Sequence, residues 1–304
     1  MDKFELKTDV DLKDFCTFHI GGTAKFLFIA TNSKELIKVC LYAKAHNIKY
    51  KIIGLGANLL FDDLGYNGLI IVNKTNEMCF AFGNSSVVLS AVEGSPNQSV
   101  IVDSGVNVTS LIMKCYLRSL SGFERLAGIP STIGGAVVNS LGAFDTSFND
   151  FVEYVECYHK SNLTKKLRLS HKQCKFGYRT SLFKNDEYVI TKVKLKLYED
   201  NQTLIRKRIT EAIEKKKSTQ PLDQYSAGSV FKRTNIIPAK VIDELGLKGT
   251  KIGGAEISMK HAGFIINTTN ATSEDVKQLI TLIQEKVKSA TNEEIEPEIE
   301  LVEY

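Results

Sequence analysis

Tyr50-Lys51-Ile52-Ile53-Gly54-Leu55-Gly56-Ala57-Asn58 is the stretch that decides the fold. A short strand runs directly into a glycine turn, whose glycines let the backbone come close to whatever lies beside it. Upstream, Lys25-Phe26-Leu27-Phe28-Ile29-Ala30 predicts another strand. Asn32 or Ser33 then caps a helix through about His46, with Leu36, Ile37, Cys40 and Leu41 on one face. Downstream, Gly68-Leu69-Ile70-Ile71-Val72 is a third strand. Strand, helix and strand in this order predict an α/β unit.

The texture changes from about residue 76. Ser86 to Val92 and Gln98 to Val102 predict short strands, and Val108 to Ser119 a helix. A glycine-rich stretch follows, Leu126-Ala127-Gly128-Ile129-Pro130-Ser131-Thr132-Ile133-Gly134-Gly135-Ala136. Residues 151–159 and 188–198 read as strands, and 201–217 as a charged helix. The remainder predicts a helix at 237–245, a strand at 262–267 and a helix at 273–289. Ser273 caps that last helix, with Glu274 and Asp275 in its first turn. Glu296-Pro297-Glu298-Ile299-Glu300-Leu301-Val302 reads as a terminal strand.

At 304 residues the chain is long for one core, so two or three domains are expected. Hydrophobic residues at 43% and charged residues at 24% belong to a globular protein and argue against disorder. The net charge of +4 is too small for a concentrated nucleic-acid-binding face, yet allows a local basic pocket for an anionic small molecule. Met1 to Lys7 mixes charges and is not a signal peptide, and no run approaches the roughly 18 apolar residues of a membrane span. Cys16, Cys40, Cys79, Cys115, Cys157 and Cys174 form no CxxC pair, so no metal site is expected. They read as reduced thiols of a cytoplasmic protein. A monomer is the expectation, with neither nucleic-acid nor membrane partners.

The two glycine loops carry the functional reading. Gly54 to Asn58 does not open a helix as GxGxxG, so the standard dinucleotide fingerprint is missing. Alone it reads as a tight turn, and Gly128 to Ala136 as a long structural one. Together with Phe18-His19-Ile20-Gly21-Gly22 they point to a flat, phosphate-bearing cofactor whose pyrophosphate rests on backbone amides.

These loops occur in a fixed order with further motifs. Thr17 to Gly22, Gly54 to Leu60 and Ala127 to Val137 are followed by Gly177-Tyr178-Arg179-Thr180-Ser181 and by Ser226-Ala227-Gly228-Ser229-Val230-Phe231-Lys232-Arg233. Ile252 to Glu256, Lys260 to Phe264 and Glu296-Pro297-Glu298 complete the set. In this order the chain resembles the UDP-N-acetylenolpyruvoylglucosamine reductases, in the shorter of their two types, which lacks an extra tyrosine loop. The resemblance covers nearly the whole chain. It implies an α+β protein: a vanillyl-alcohol-oxidase-like FAD-binding domain of two subdomains (1–75 and 76–199) and a C-terminal substrate-binding domain (200–304). The terminal strand is free to return to the FAD domain.

The resemblance also implies chemistry. NADPH reduces FAD, and flavin N5 then gives hydride to the enolpyruvyl ether of a UDP-sugar, in cell-wall precursor synthesis. Gly54, Gly56, Ala57, Asn58 and Leu59 match one FAD loop. Gly128, Ile129, Pro130, Ser131, Gly134, Gly135 and Ala136 match the other. Arg179 matches the arginine at the substrate carboxylate, a role suited to a permanently charged bidentate group. Ser229 matches the proton donor, and Glu298 the glutamate of the terminal strand, with Glu296 as runner-up on the same strand face. Tyr178 is expected to line the substrate site, and Lys217, Lys232 and Arg233 to meet the diphosphate. His261 reads as structural.

The bland alternatives are a strand-end arginine, a serine in a glycine turn and a solvated acidic tail. The chain also departs from the pattern. Ala57 stands where many members have Ser, Ser131 where Gly is usual, Asn139-Ser140 where Met-Asn is frequent, and Thr234 where Pro is. Glu300 stands where an Arg often follows. Two other readings stay open: a flavin oxidase of an alcohol or sugar lactone, with His19 as a possible flavin tether, and a binding protein that kept the fold.

Overall fold

The structure, a computed structural model, describes residues 4–82 and 98–304. Its first part contains strand β1 (Lys7–Asp11), β2 (Thr23–Ala30), helix α1 (Ser33–Ala45), β3 (Tyr50–Ile53), β4 (Leu59–Phe61) and β5 (Tyr66–Asn73). The sheet order is β1-β2-β5-β3. β2 and β3 lie parallel to β5, and β1 runs antiparallel on the edge. The run Leu69-Ile70-Ile71-Val72 is continuous in hydrophobicity because both faces of β5 are covered, as parallel strands require. Leu69 and Ile71 pack with Leu36, Val39, Cys40 and Ala43 of α1. Ile70 and Val72 face the opposite core.

The second part holds β6 (Met78–Phe82), β7 (Gln98–Asp103), α2 (Val108–Tyr116), β8 (Leu120–Ser121) and α3 (Ile133–Val138). It continues with β9 (Gly142–Ala143), β10 (Thr146–Ser147), β11 (Val152–His159), β12 (Asn162–Ser170) and β13 (Tyr188–Glu199). β12-β11-β13-β7-β6 form an antiparallel sheet, with β8 also paired to β13. The helix expected through Ser119 stops at Tyr116, and Ser119 takes a left-handed φ of 56°. The strand expected over Ser86 to Val92 lies outside the described residues.

The last part contains α4 (Gln202–Thr219), β14 (Tyr225–Ser229), α5 (Pro238–Glu244), β15 (Lys251–Ile252), β16 (Ala255–Ile257), β17 (Phe264–Asn267), α6 (Ser273–Thr291) and β18 (Glu300–Val302). β14-β17-β16-β15 form its sheet. α6 is capped by Thr272, not Ser273: Thr272 and Asp275 make a reciprocal capping box, while the Ser273 hydroxyl donates to Asp63. The terminal strand is also shorter than expected, and only Glu300–Val302 pairs, in parallel, with β4. Residues of α6 such as Leu279 and Ile283 share one core with Ile70 and Val72, so the first sheet packs with the chain from Ala227 onward, whereas Ile205 and Ile209 of α4 lie in a second core with Val100, Val193 and Leu195. No helix among the described residues is long and apolar enough to cross a membrane.

Candidate active site

The end of β3 and the start of α3 meet at one point. A Cβ added to Gly54 would sit 2.4 Å from Thr132 Oγ1, so glycine is what lets the two loops touch. Thr132 is fixed there as the cap of α3, accepting from Gly135 N. Gly56 has φ +64°, and a Cβ on it would fall 2.2 Å from the Phe15 carbonyl oxygen. Alanine at position 54 must therefore drive the loops apart. Gly54→Ala is expected to weaken FAD binding about tenfold, from overpacking of this junction. Flavin-fluorescence titration of the apo-protein checks it.

Between the loops lies a cavity of about 970 Å³, counting its open mouth. Gly54, Gly56, Ala57, Asn58 and Leu59 line one wall, and Pro130, Ser131, Gly134 and Gly135 the other. Gly128, Ile129 and Ala136 do not line it. Gly128 faces Ile213 and Lys216 of α4, Ile129 packs against the second core and Ala136 is fully buried within it.

The amides divide the work unequally. In the second loop, Gly128 N donates to Thr109 Oγ1, Ile129 N to Leu126 O, Ile133 N to Val106 O, and Gly134 N to Ser104 O. Gly135 N and Ala136 N are taken by Thr132. Six amides of this loop are thus already in use, and of the amides on its cavity-lining residues only those of Ser131 and Thr132 have no acceptor among the described residues. In the first loop, by contrast, no described residue accepts a hydrogen bond from the N–H of Leu55, Gly56, Ala57 or Asn58. That run of open donors beside a cavity of this size fits a phosphate-bearing cofactor such as FAD. Lys51, Asn73, Ser104, Lys184 and Tyr188 also line the cavity, and the sequence reading did not single them out; Asn139, noted there only as a departure from the family pattern, lines it too. Lys51 was nonetheless legible as the polar residue of the strand that feeds the loop.

The motif Thr17 to Gly22 does not line the cavity. It braces it: Thr17 N donates to Gly56 O and Thr17 Oγ1 to Ser226 O, while Asn267 donates to the carbonyls of Phe18 and His19. His19 stacks on Tyr225 with ring centroids 3.8 Å apart. His261 accepts from Gly263 N through Nδ1, and burial lowers its pKa.

Three distant segments converge beside the first loop. Arg179 Nε lies 2.7 Å from Glu298 Oε1. The N–H does not point along that line, so the contact is a charge pair and Nε–H has no aligned acceptor. The terminal nitrogens donate to Ser140 O at 3.3 Å and Gly142 O at 3.0 Å, which fixes the guanidinium plane. Arg179 itself holds a left-handed φ of 53°, as do Ser140 and Phe144 near its acceptors, at 47° and 50°. Such strain clusters at functional sites.

Glu298 is anchored by backbone on two sides: its N–H donates to Val230 O at 2.6 Å and its carbonyl accepts from Asn58 Nδ2 at 3.1 Å. Ser229 therefore lies one residue from the Glu298 contact. It is exposed, follows Gly228 with φ +81°, and sits where the β14–β17 register shifts. An irregularity of this kind re-aims a side chain. Tyr178 closes the group, its hydroxyl accepting from Arg233 N.

Glu296 separates from Glu298. Residues 296–298 are not in a regular strand, so alternation does not put the two on one face. Glu296 pairs with Lys232 and its side chain is 74% exposed, against 20% for Glu298. Arg233 is exposed, and so is Lys217, whose carbonyl accepts from Lys260.

The neighbouring Lys216 is the residue that turns inward. Ile205, Ile209, Ala212 and Lys216, spaced three or four apart, form the buried stripe of α4, a signal present in the sequence. Its Nζ donates to Arg125 O and Ala127 O and lies over the Phe144 ring. Burial lowers its pKa from 10.5 to about 8. The unfolded chain binds the proton more tightly, so the cost of charging Lys216 is full below pH 8 and fades as pH rises towards 10.5. Relative to Lys216→Met, wild-type stability should rise by about 3 kcal/mol across that window, as read by urea unfolding at several pH values.

Comparison with known proteins agrees with this architecture. Residues 24–162 match the model of a FAD binding domain. Residues 220–302 match that of the UDP-N-acetylenolpyruvoylglucosamine reductase C-terminal domain. The reductase of that name from Caldanaerobacter subterraneus subsp. tengcongensis is 37% identical over 96% of this chain and 91% of its own. The one from Pseudothermotoga lettingae is 35% identical over 99% of both. The crystal structure of the Thermus caldophilus reductase superposes with a TM-score of 0.77 at 30% identity, covering 97% of this chain and 99% of that one. A FAD-binding domain joined to this C-terminal domain, and similarity along nearly the whole length, place the chain in the UDP-N-acetylenolpyruvoylglucosamine reductase family of oxidoreductases.

Proposed function

We propose that this protein reduces UDP-N-acetylglucosamine enolpyruvate to UDP-N-acetylmuramate with NADPH as reductant, and that Arg179, Ser229 and Glu298 carry out the substrate chemistry. The observation that carries the reading is the Arg179–Glu298 pair, anchored through Val230 and Asn58 between the Ser229 strand and the open-amide loop. Bound FAD supplies the hydride, which goes to the terminal carbon of the enolpyruvyl group. Charge then develops on the substrate carboxylate-enolate.

Arg179 is suited to that charge. Two of its five N–H donors hold backbone carbonyls, which orient the plane, and the others remain for a carboxylate. Ser229 gives a proton from Oγ to the carbon next to the carboxylate, and its exposure lets solvent restore it. Glu298 hydrogen-bonds the enol form. Lys217, Lys232 and Arg233 supply positive charge to the diphosphate, and Tyr178 stands over the substrate. A monomer working in the cytoplasm accords with a substrate that is a small soluble nucleotide sugar.

The experiment is an anaerobic flavin titration. NADPH should bleach the bound flavin, and the enolpyruvyl UDP-sugar should restore its colour. A protein that binds flavin but is never reoxidised by this sugar would overturn the proposal.

A further inference from the structure

We propose that Glu300 competes with the cofactor for Lys51, so that the cavity limits its own affinity for FAD; the inference rests on reading this cavity as the FAD site. Lys51 and Lys184 line the cavity, and so do two carboxylates, Asp186 and Glu300. Lys51 Nζ contacts Glu300 and lies 3.6 Å from Asp186. Lys184 Nζ lies 3.7 Å from Glu300 and donates to Asn139 at 2.6 Å. Outside this lining, Lys160 is 3.0 Å from Asp186. Within the lining, positive and negative charges thus balance before any anion arrives.

The Lys51 side chain is only 17% exposed and that of Glu300 28%. Burial alone would lower the Lys51 pKa, but Glu300 and Asp186 outweigh it and hold the ammonium above its ordinary value. Lys51 is therefore a permanent cation in a partly dry wall, where charge pairs count for more than on the surface.

Glu300 is also locked close to the phosphate-facing loop, since its backbone N–H donates to Asn58 O at 2.9 Å. It cannot swing away with a mobile side loop. A cofactor diphosphate held on the amides of Leu55 to Asn58 would meet the Glu300 carboxylate and a lysine already engaged by it. Entry of the diphosphate draws Lys51 from Glu300 and leaves that carboxylate to Lys184.

The test uses the full-length apo-protein, prepared by stripping bound flavin, and titrates it with FAD by flavin fluorescence. Glu300→Gln keeps the shape and removes the competing charge. It should bind FAD about tenfold tighter, and Lys51→Met about tenfold more weakly. ADP, which offers the diphosphate without the flavin, should compete better against Glu300→Gln than against wild type. If Glu300→Gln does not fold, Asp186→Asn poses the same question from the other side of Lys51. Asn accepts the left-handed φ of 59° at that position. Tighter FAD binding by Glu300→Gln, or by Asp186→Asn where Glu300→Gln does not fold, supports the proposal. Unchanged or weaker binding, with wild type binding FAD normally, overturns it alone. A wild type that binds no FAD overturns it together with the FAD reading.

Discussion

Ser229→Ala is expected to leave flavin reduction by NADPH intact and to slow reoxidation by the enolpyruvyl sugar about a thousandfold, within the range for loss of a positioned proton donor. The two half-reactions need different groups. Hydride arrival at the flavin asks nothing of a proton donor beside the sugar, whereas completing the sugar's reduction does. The substitution is structurally mild. Ser229 is exposed, and its hydroxyl makes none of the hydrogen bonds described above that hold β14 in place. The left-handed turn belongs to Gly228, which is untouched. Stopped-flow absorbance of the two steps, run separately, checks the split. Equal slowing of both steps would show that Ser229 shapes the cofactor site instead.

Arg179→Met should lower kcat/KM for the sugar about a thousandfold, the scale of losing a charge aimed at a developing oxyanion. Two effects add. The substrate carboxylate loses its partner, and Glu298 is left with an uncompensated charge in a site where its side chain is only 20% exposed. Arg179→Lys should recover little, because an ammonium cannot reach Ser140 O and Gly142 O and face a carboxylate in one plane. The double variant Arg179→Met with Glu298→Gln should be more stable than Arg179→Met alone. The cycle, measured by steady-state kinetics and thermal unfolding, separates binding of substrate from neutralisation of Glu298.

Much of this was legible in the chain, and the failures have physical causes. The apolar run at 69–72 announced a strand, and the glycines at 54 and 56 a close approach of backbone. Gly54 meets Thr132 because neither backbone could come so near with a side chain between them. The sequence could not show that most of the second loop's amides were already engaged, since their acceptors include Ser104, Val106 and Thr109 from other segments. Lys217 was named for the diphosphate and its neighbour Lys216 was passed over, although the helical register that turns Lys216 inward was there to be counted in its buried stripe. Strand alternation put Glu296, the runner-up, on the same face as Glu298. Pro297, bridged only to Phe231, breaks the ladder and points them to different partners. The pairing of Lys51 with Glu300 was out of reach, because it depends on a parallel strand contact between segments at opposite ends of the sequence.

That last contact has a consequence for how the molecule is made. β18 completes β4 through Asp62 N to Val302 O and Glu300 N to Asn58 O, so residues 58–62 wait for residues 298–302. On the ribosome, the first glycine loop is synthesised well before residues 298–302 and remains without its neighbour until they have emerged. Closing so long a loop is slow, because distant segments must be ordered before their contacts reward it. The seat formed by the first glycine loop is therefore completed only when β18 arrives, long after the loop itself has been made.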